Sequence, residues 1–153
     1  MMTLCSEVLV ALKGKTLATA ESCTGGGIGA AITAVPGASK VFKGGVISYT
    51  NEVKEHCLGV DPAVLEKYGA VSAPVAGAMA SGVRKMLQTD VAVSVTGLAG
   101  PGGDEFGHPV ETVYIGFECR SKALVKQYRF EGSRDEVRTQ TIRAALELIL
   151  ENC

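Results

Sequence analysis

Two glycine-rich stretches, each entered from a short apolar run, restrict the fold of this chain more than any other feature. The first is Glu21-Ser22-Cys23-Thr24-Gly25-Gly26-Gly27, reached from Thr16 to Ala20. The second is Thr96-Gly97-Leu98-Ala99-Gly100-Pro101-Gly102-Gly103-Asp104, reached from Val91 to Val95. A short continuous apolar run suits a strand covered on both faces, and such strands belong to sheets sandwiched between helices. Glycines at the exits of those strands let the backbone turn sharply and approach a neighbour closely. The chain holds 19 glycines in 153 residues, where about 11 would be usual at a frequency of ~7%.

The rest of the pattern agrees with a layered α/β domain. Leu4, Val8, Leu9 and Leu12 predict a helix over Thr3 to Lys13, and Ile28 to Val35 predicts a second, closed by Pro36-Gly37. Val41 to Thr50 reads as a strand, with Asn51 as the cap of a short helix beyond it. Asp61-Pro62 places a cap before proline at a first helical position, and Ser72 opens a helix reaching Leu87. Thr112 to Cys119 and Ala123 to Phe130 predict two strands joined by the tight Arg120-Ser121-Lys122 turn. Ser133-Arg134-Asp135-Glu136 has the form of a capping box, opening a last helix with Val137, Thr141, Ala144, Ala145 and Leu148 inward. Helices and strands alternate early and a hairpin comes late, which predicts a mixed sheet.

Size and composition exclude several classes. The length suits one domain over residues 1–153, and 46% apolar with 20% charged residues is the mix of a folded globule. A net charge of −1 argues against a dedicated nucleic-acid binder or a polybasic membrane binder. Five widely spaced cysteines without a CxxC pair exclude a zinc ribbon and disfavour a disulfide framework, so a reducing cytoplasm is expected. Ser22 to Ser39 is uncharged over eighteen residues, but its five glycines and one proline suit a loop and helix rather than a membrane span. No basic segment followed by an apolar core marks a leader at the N-terminus.

Both glycine stretches carry hydroxyls, namely Ser22, Thr24 and Thr96. Ligands of α/β sheets bind where strands end and loops lead into helices, and glycine there exposes backbone N–H groups to anions. The pair suggests a site for a phosphorylated or otherwise anionic small molecule; tight connections without a ligand explain the glycines but not the hydroxyls. Gly14-Lys15-Thr16 fails as the end of a P-loop, because Leu9 stands where the first glycine is required. Gly25-x-Gly27-x-x-Ala30 fits a dinucleotide fingerprint only formally, since a polar segment separates it from the strand.

A nucleophilic serine needs a base. His56 and His108 are the chain's two histidines, and both read as surface residues. A lysine serves instead if burial makes its charge unfavourable. Lys54 follows Ser48-Tyr49-Thr50-Asn51 at the end of the second strand, although between Glu52 and Glu55 it also reads as an ordinary solvated lysine. Ser22 and Ser39 are the candidate nucleophiles or oxyanion donors. Neither has an S-x-x-K spacing, so any Ser–Lys pair must be assembled by folding. Arg134 and Arg138, four apart, share a helix face and suit either a phosphate or the nearby Glu131 and Glu136.

Several segments together resemble the CinA C-terminal domain family, the bacterial nicotinamide-nucleotide amidohydrolases. They are Ala20-Glu21-Ser22-Cys23-Thr24-Gly25-Gly26, Val35-Pro36-Gly37-Ala38-Ser39, and Phe42-x-Gly44-Gly45-Val46-Ile47-Ser48-Tyr49-x-Asn51-x-x-Lys54. Then come Thr96-Gly97-x-Ala99-Gly100-Pro101-Gly102-Gly103 and Gly132-x-Arg134-x-x-x-Arg138. They stand in family order over nearly the whole chain. The resemblance implies hydrolysis of nicotinamide mononucleotide to nicotinic acid mononucleotide and ammonia, in the pyridine nucleotide cycle. It further implies a three-layer α/β/α sandwich with a mixed central sheet, a homodimer or higher homo-oligomer, and no metal or cofactor. Carried over by residue, Ser39 is the expected nucleophile, Lys54 its base and Tyr49 an assistant, with Ser22 and Thr24 at the amide end of the pocket. Gly25, Gly26, Thr96, Gly97, Gly100, Gly102 and Gly103 would hold the nucleotide, and Arg134 and Arg138 its phosphate or ribose. The longer CinA proteins carry an additional N-terminal domain, for which these 153 residues hold no counterpart. In Gly107-His108-Pro109-Val110-Glu111 the chain departs from the family, which commonly has lysine before Pro-Val and glycine after it. The alternative reading is a non-catalytic nucleotide-binding or interaction module, an inactive paralogue.

Overall fold

The computed structural model describes residues 1–100 and 111–153. Five strands form one mixed sheet in the order β2-β1-β3-β4-β5: β1 (Leu17–Glu21), β2 (Phe42–Ile47), β3 (Val91–Gly97), β4 (Thr112–Cys119) and β5 (Ala123–Arg129). β1 runs parallel to both β2 and β3, while β4 and β5 are antiparallel additions. The sequence pattern dictates this split. β1 is buried along its whole length, its terminal Glu21 included, and β3 at all but its last residue, as the small and mostly apolar residues before those ends require; β5, at the edge, is largely solvent-facing.

Helices cover both faces, completing the three layers. On one face lie α1 (Met2–Ala11), α2 (Gly27–Thr33) and α6 (Arg134–Asn152), whose Val8, Ile28, Ile32, Leu148 and Ile149 pack on Leu17, Val93, Ile115 and Phe117. The other face is covered by α3 (Asn51–Leu58), α4 (Pro62–Tyr68) and α5 (Ala73–Leu87), with Leu58, Leu65, Val75, Met79 and Val83 on Ala18, Ala20 and Ala92. Small residues on that face of β1 and β3 let α5 lie close to the sheet; Ser94 Oγ donates to Ala76 O at 2.6 Å across the contact.

Side-chain caps set the starts of α3, α4 and α6. Asp61 accepts from Ala63 N ahead of Pro62, and Ser133 with Glu136 forms the full reciprocal capping box of α6. Two details differ from expectation. Thr50, not Asn51, caps α3 by accepting from Val53 N, and Asn51 is the first helical residue. Ser72 stands at the N-cap of α5, but its hydroxyl donates to Gly69 O instead of capping. A turn of 3₁₀ helix, Ala38–Lys40, leads into β2. No helix among the described residues is long and apolar enough to cross a membrane.

Candidate functional site

Three parallel strands end at one edge of the sheet, and each delivers a polar residue there. β1 leads to Ser22, β2 to Ser48 and Tyr49 and then to α3, and β3 to Thr96 and the turn reaching Gly100. Backbone bonds lock these exits together: Ser22 N donates to Val95 O at 3.0 Å, and Ser48 N to Glu21 O at 2.7 Å. Lys54 lies in the first turns of α3. Helical side chains lean toward the helix N-terminus, so the lysine folds back onto the strand ends. Its Nζ donates to Ser48 O at 2.7 Å and to Ser22 Oγ at 3.1 Å. The residue is 1% exposed. Burial therefore pulls its pKa from 10.5 down to about 8, against a smaller opposing effect from the Cys23 thiol.

Around this pair lies a cavity of about 290 Å³, lined by Ser22, Cys23, Tyr49, Asn51, Lys54, Ala70, Val71, Thr96, Gly97, Leu98, Ala99, Gly100 and Arg134. The Thr96 hydroxyl donates to Ala70 O at 2.8 Å, which leaves its oxygen able to accept. At the mouth, Arg134 reaches from α6 to Gly100 O (2.8 Å) and to the Tyr49 hydroxyl (3.0 Å). The Cys23 thiol is pushed up to about 11 by burial and by the Glu21 carboxylate, so it stays protonated near neutrality and is a poor rival nucleophile. Among the described residues no cluster of three or more His, Cys, Asp or Glu side chains could hold a metal ion.

The fold brings together Ser22, Tyr49, Lys54, Thr96, Gly97, Gly100 and Arg134 around the cavity, and leaves Ser39, Thr24, Gly25, Gly26 and Arg138 off its wall. Ser39 is exposed in the 3₁₀ turn that precedes β2, whereas Lys54 follows that strand. A six-residue strand is about 20 Å long at ~3.3 Å per residue, so the length of β2 holds Ser39 and Lys54 of one chain apart at its opposite ends. Thr24 is fully buried and donates to Glu21 Oε1 at 2.6 Å, away from the cavity. Gly25 and Gly26 do not line the cavity either; Gly26, at φ 98°, is the left-handed N-cap of α2. Arg138 donates to the carbonyls of Cys23 and Thr24 instead of facing the cavity. Gly102, Gly103 and His108 lie outside the described residues.

Sequence reasoning missed three contributors. Glu21 is 2% exposed and accepts from Thr24 Oγ1, Ile28 N and Gly29 N, the buried anchor of the turn after β1. A carboxylate just before a glycine turn and a helix start was the available signal, since such acids satisfy free N–H groups. Cys23 stands inside the segment that carries the family resemblance but without a role of its own, and the Ala70–Val71 wall carries no sequence signal; all three are small, apolar and reach the cavity through tertiary packing.

The model of the CinA C-terminal domain matches residues 2–153. A CinA-like protein of Geobacter sulfurreducens is 52% identical over 135 residues, which cover 88% of this chain and 33% of that protein. Another, from Thermosynechococcus vestitus, is 50% identical over 138 residues, again 88% of this chain and 33% of the relative. The chain thus spans about a third of the length of these curated relatives. Among solved structures, the competence damage-inducible protein A of Klebsiella pneumoniae superposes with a TM-score of 0.96 at 35% identity, covering 98% of this chain and 94% of that one. The competence/damage inducible protein CihA of Agrobacterium tumefaciens gives 0.94 at 37% identity, covering 98% and 93%. The family match, the sequence identity and the superposition agree, and the chain belongs to the CinA C-terminal domain family.

Proposed function

We propose that this chain hydrolyses the carboxamide of nicotinamide mononucleotide, giving nicotinic acid mononucleotide and ammonia, with Ser22 as nucleophile and Lys54 as its base. One observation carries the reading: a lysine that is 1% exposed, with its Nζ 3.1 Å from a serine hydroxyl on a cavity wall. A neutral amine has two N–H bonds and one lone pair. With an N–H on Ser48 O, 2.7 Å away, the lone pair is free to accept the proton of Ser22.

Ser22 then attacks the carboxamide carbon, made more electrophilic by the cationic pyridinium ring. The Lys54 ammonium returns the proton to the departing nitrogen, and ammonia leaves an acyl ester on Ser22. Water, deprotonated by Lys54, hydrolyses that ester and restores both groups. Arg134 at the cavity mouth has the charge and planar donors to take the phosphate, and Thr96 can accept from a ribose hydroxyl. The family membership supports the amide substrate, and the buried pair supports the serine–lysine chemistry. The same reading carries a homo-oligomeric assembly.

The test is ammonia release from nicotinamide mononucleotide by the purified protein. Ser22→Ala and Lys54→Ala should each lower the rate by about 10²–10⁴-fold with the circular dichroism spectrum unchanged. Retention of the rate in Ser22→Ala would discard the proposed nucleophile. Binding of the nucleotide without any release by the unmodified protein would make the chain a non-catalytic nucleotide-binding module.

A further inference from the structure

α6 grips the turn after β1 through one side chain. Arg138 Nε donates to Cys23 O and its Nη2 to Thr24 O, both at 3.1 Å, so the Cys23–Thr24 and Thr24–Gly25 peptide groups, which begin one residue after Ser22, are held by one rigid guanidinium. From the opposite side, Glu21 holds Thr24 Oγ1 and the Ile28 and Gly29 N–H groups. The turn closes on itself through Gly25 N to Ser22 O at 3.0 Å. Gly25 is shaped around the arginine: its φ is +58°, and a Cβ there would come within 3.3 Å of Arg138 Nη2. Arg134, one helical turn earlier, lines the cavity, whereas Arg138 does not.

We propose that Arg138 is a positioning residue that holds Ser22 against Lys54 through the carbonyls of Cys23 and Thr24, and not a ligand of the substrate. This rests on the serine–lysine reading above. Peptide groups are planar, so fixing the carbonyls of Cys23 and Thr24 fixes the course of the chain from Cys23 to Gly25, to which Ser22 is joined directly. Val95 O fixes the Ser22 N–H and Glu21 secures the far end of the turn, while Arg138 is the side chain that holds the carbonyls between them. A planar fork can serve both carbonyls at once; a lysine ammonium at the same place is a flexible point donor. Misplacing a reacting group by ~1 Å costs about 100-fold in rate, while binding contacts elsewhere are untouched.

The experiment uses the full chain with nicotinamide mononucleotide, comparing Arg138→Ala and Arg138→Lys with Arg143→Gln, an exposed position on the same helix. Positioning predicts a kcat lower by about 100-fold in Arg138→Ala, KM unchanged, and partial recovery of kcat on adding guanidinium. Arg138→Lys should recover less than that, and Arg143→Gln should match the unmodified protein. A raised KM with kcat preserved would make Arg138 a substrate ligand and overturn the proposal; so would unchanged kinetics. Gly25→Ala crowds the guanidinium without removing its charge and should reproduce the kcat loss if Arg138→Ala fails to fold. Amide hydrogen exchange of the turn from Cys23 to Gly25 is read in parallel without substrate. Faster exchange in Arg138→Ala supports the tether even if the unmodified protein shows no turnover, and unaltered exchange refutes it.

Discussion

A lysine ammonium withdrawn from water loses hydration that two hydrogen bonds only partly replace, and Lys54 shows the result as a pKa lowered to about 8. If neutral Lys54 is the base, about a tenth of the protein is competent at pH 7 and about nine-tenths at pH 9. The rate of ammonia release should therefore rise nearly tenfold over that interval with a midpoint near 8. The same shift sets the sign of a stability effect. Below pH 8 the lysine is charged in both folded and unfolded chains; between about 8 and 10.5 it is neutral only when folded. The unfolded chain binds the extra proton there, so stability should rise with pH across that window, by up to about 3 kcal/mol. Thermal melts of Lys54→Met from pH 7 to 10.5 should lack that rise. Glu111 is a second residue with a measurable consequence. It adopts φ 76°, a left-handed conformation costing a side chain about 1–2 kcal/mol. Relief of that strain outweighs the added freedom of the unfolded chain, ~0.4–1 kcal/mol; Glu111→Gly should raise stability by about 0.5–1 kcal/mol in a urea titration.

Among elements, α3 matters most because it carries Lys54, and its seat depends on a glycine in another helix. A Cβ on Gly82 of α5 would overlap the Leu58 carbonyl at the end of α3. Alanine in place of glycine favours a helix by about 1 kcal/mol, but separating two packed helices costs about 1–3 kcal/mol. The packing loss should win: Gly82→Ala should lower the melting temperature and the rate of ammonia release together. The sequence showed the existence of α3, α5 and α6 plainly, because capping residues and apolar spacing are local properties. It misjudged the environment of Lys54. Flanking Glu52 and Glu55 suggest a solvated helix, yet the face between them turns onto the sheet edge, and local charge pattern says nothing about that rotation.

At the scale of the whole molecule, β1 lies between β2 and β3 and all three run the same way, so their exits converge and their entries lie at the opposite edge. Ser39 belongs to the entry of β2, which accounts for its failure as the partner of Lys54. Ser39→Ala should accordingly keep ammonia release within about twofold of the unmodified protein, since exposed polar substitutions far from a site rarely cost more than ~0.5 kcal/mol. The alternating pattern, the two glycine turns and the caps are written in residues close together in the chain, and from these alone follow the α/β class, the strands and the helices that bound the cavity. Pairing Lys54 with Ser22 and not with Ser39, placing Arg134 at the mouth and Arg138 behind the turn, and burying Lys54 required contacts between residues 32 to 115 positions apart. Spacing along a chain reports which side chains share one helix face or one strand; only the parallel pairing of separate strands decides which loops meet, and the pKa of a buried amine exists only once they have met.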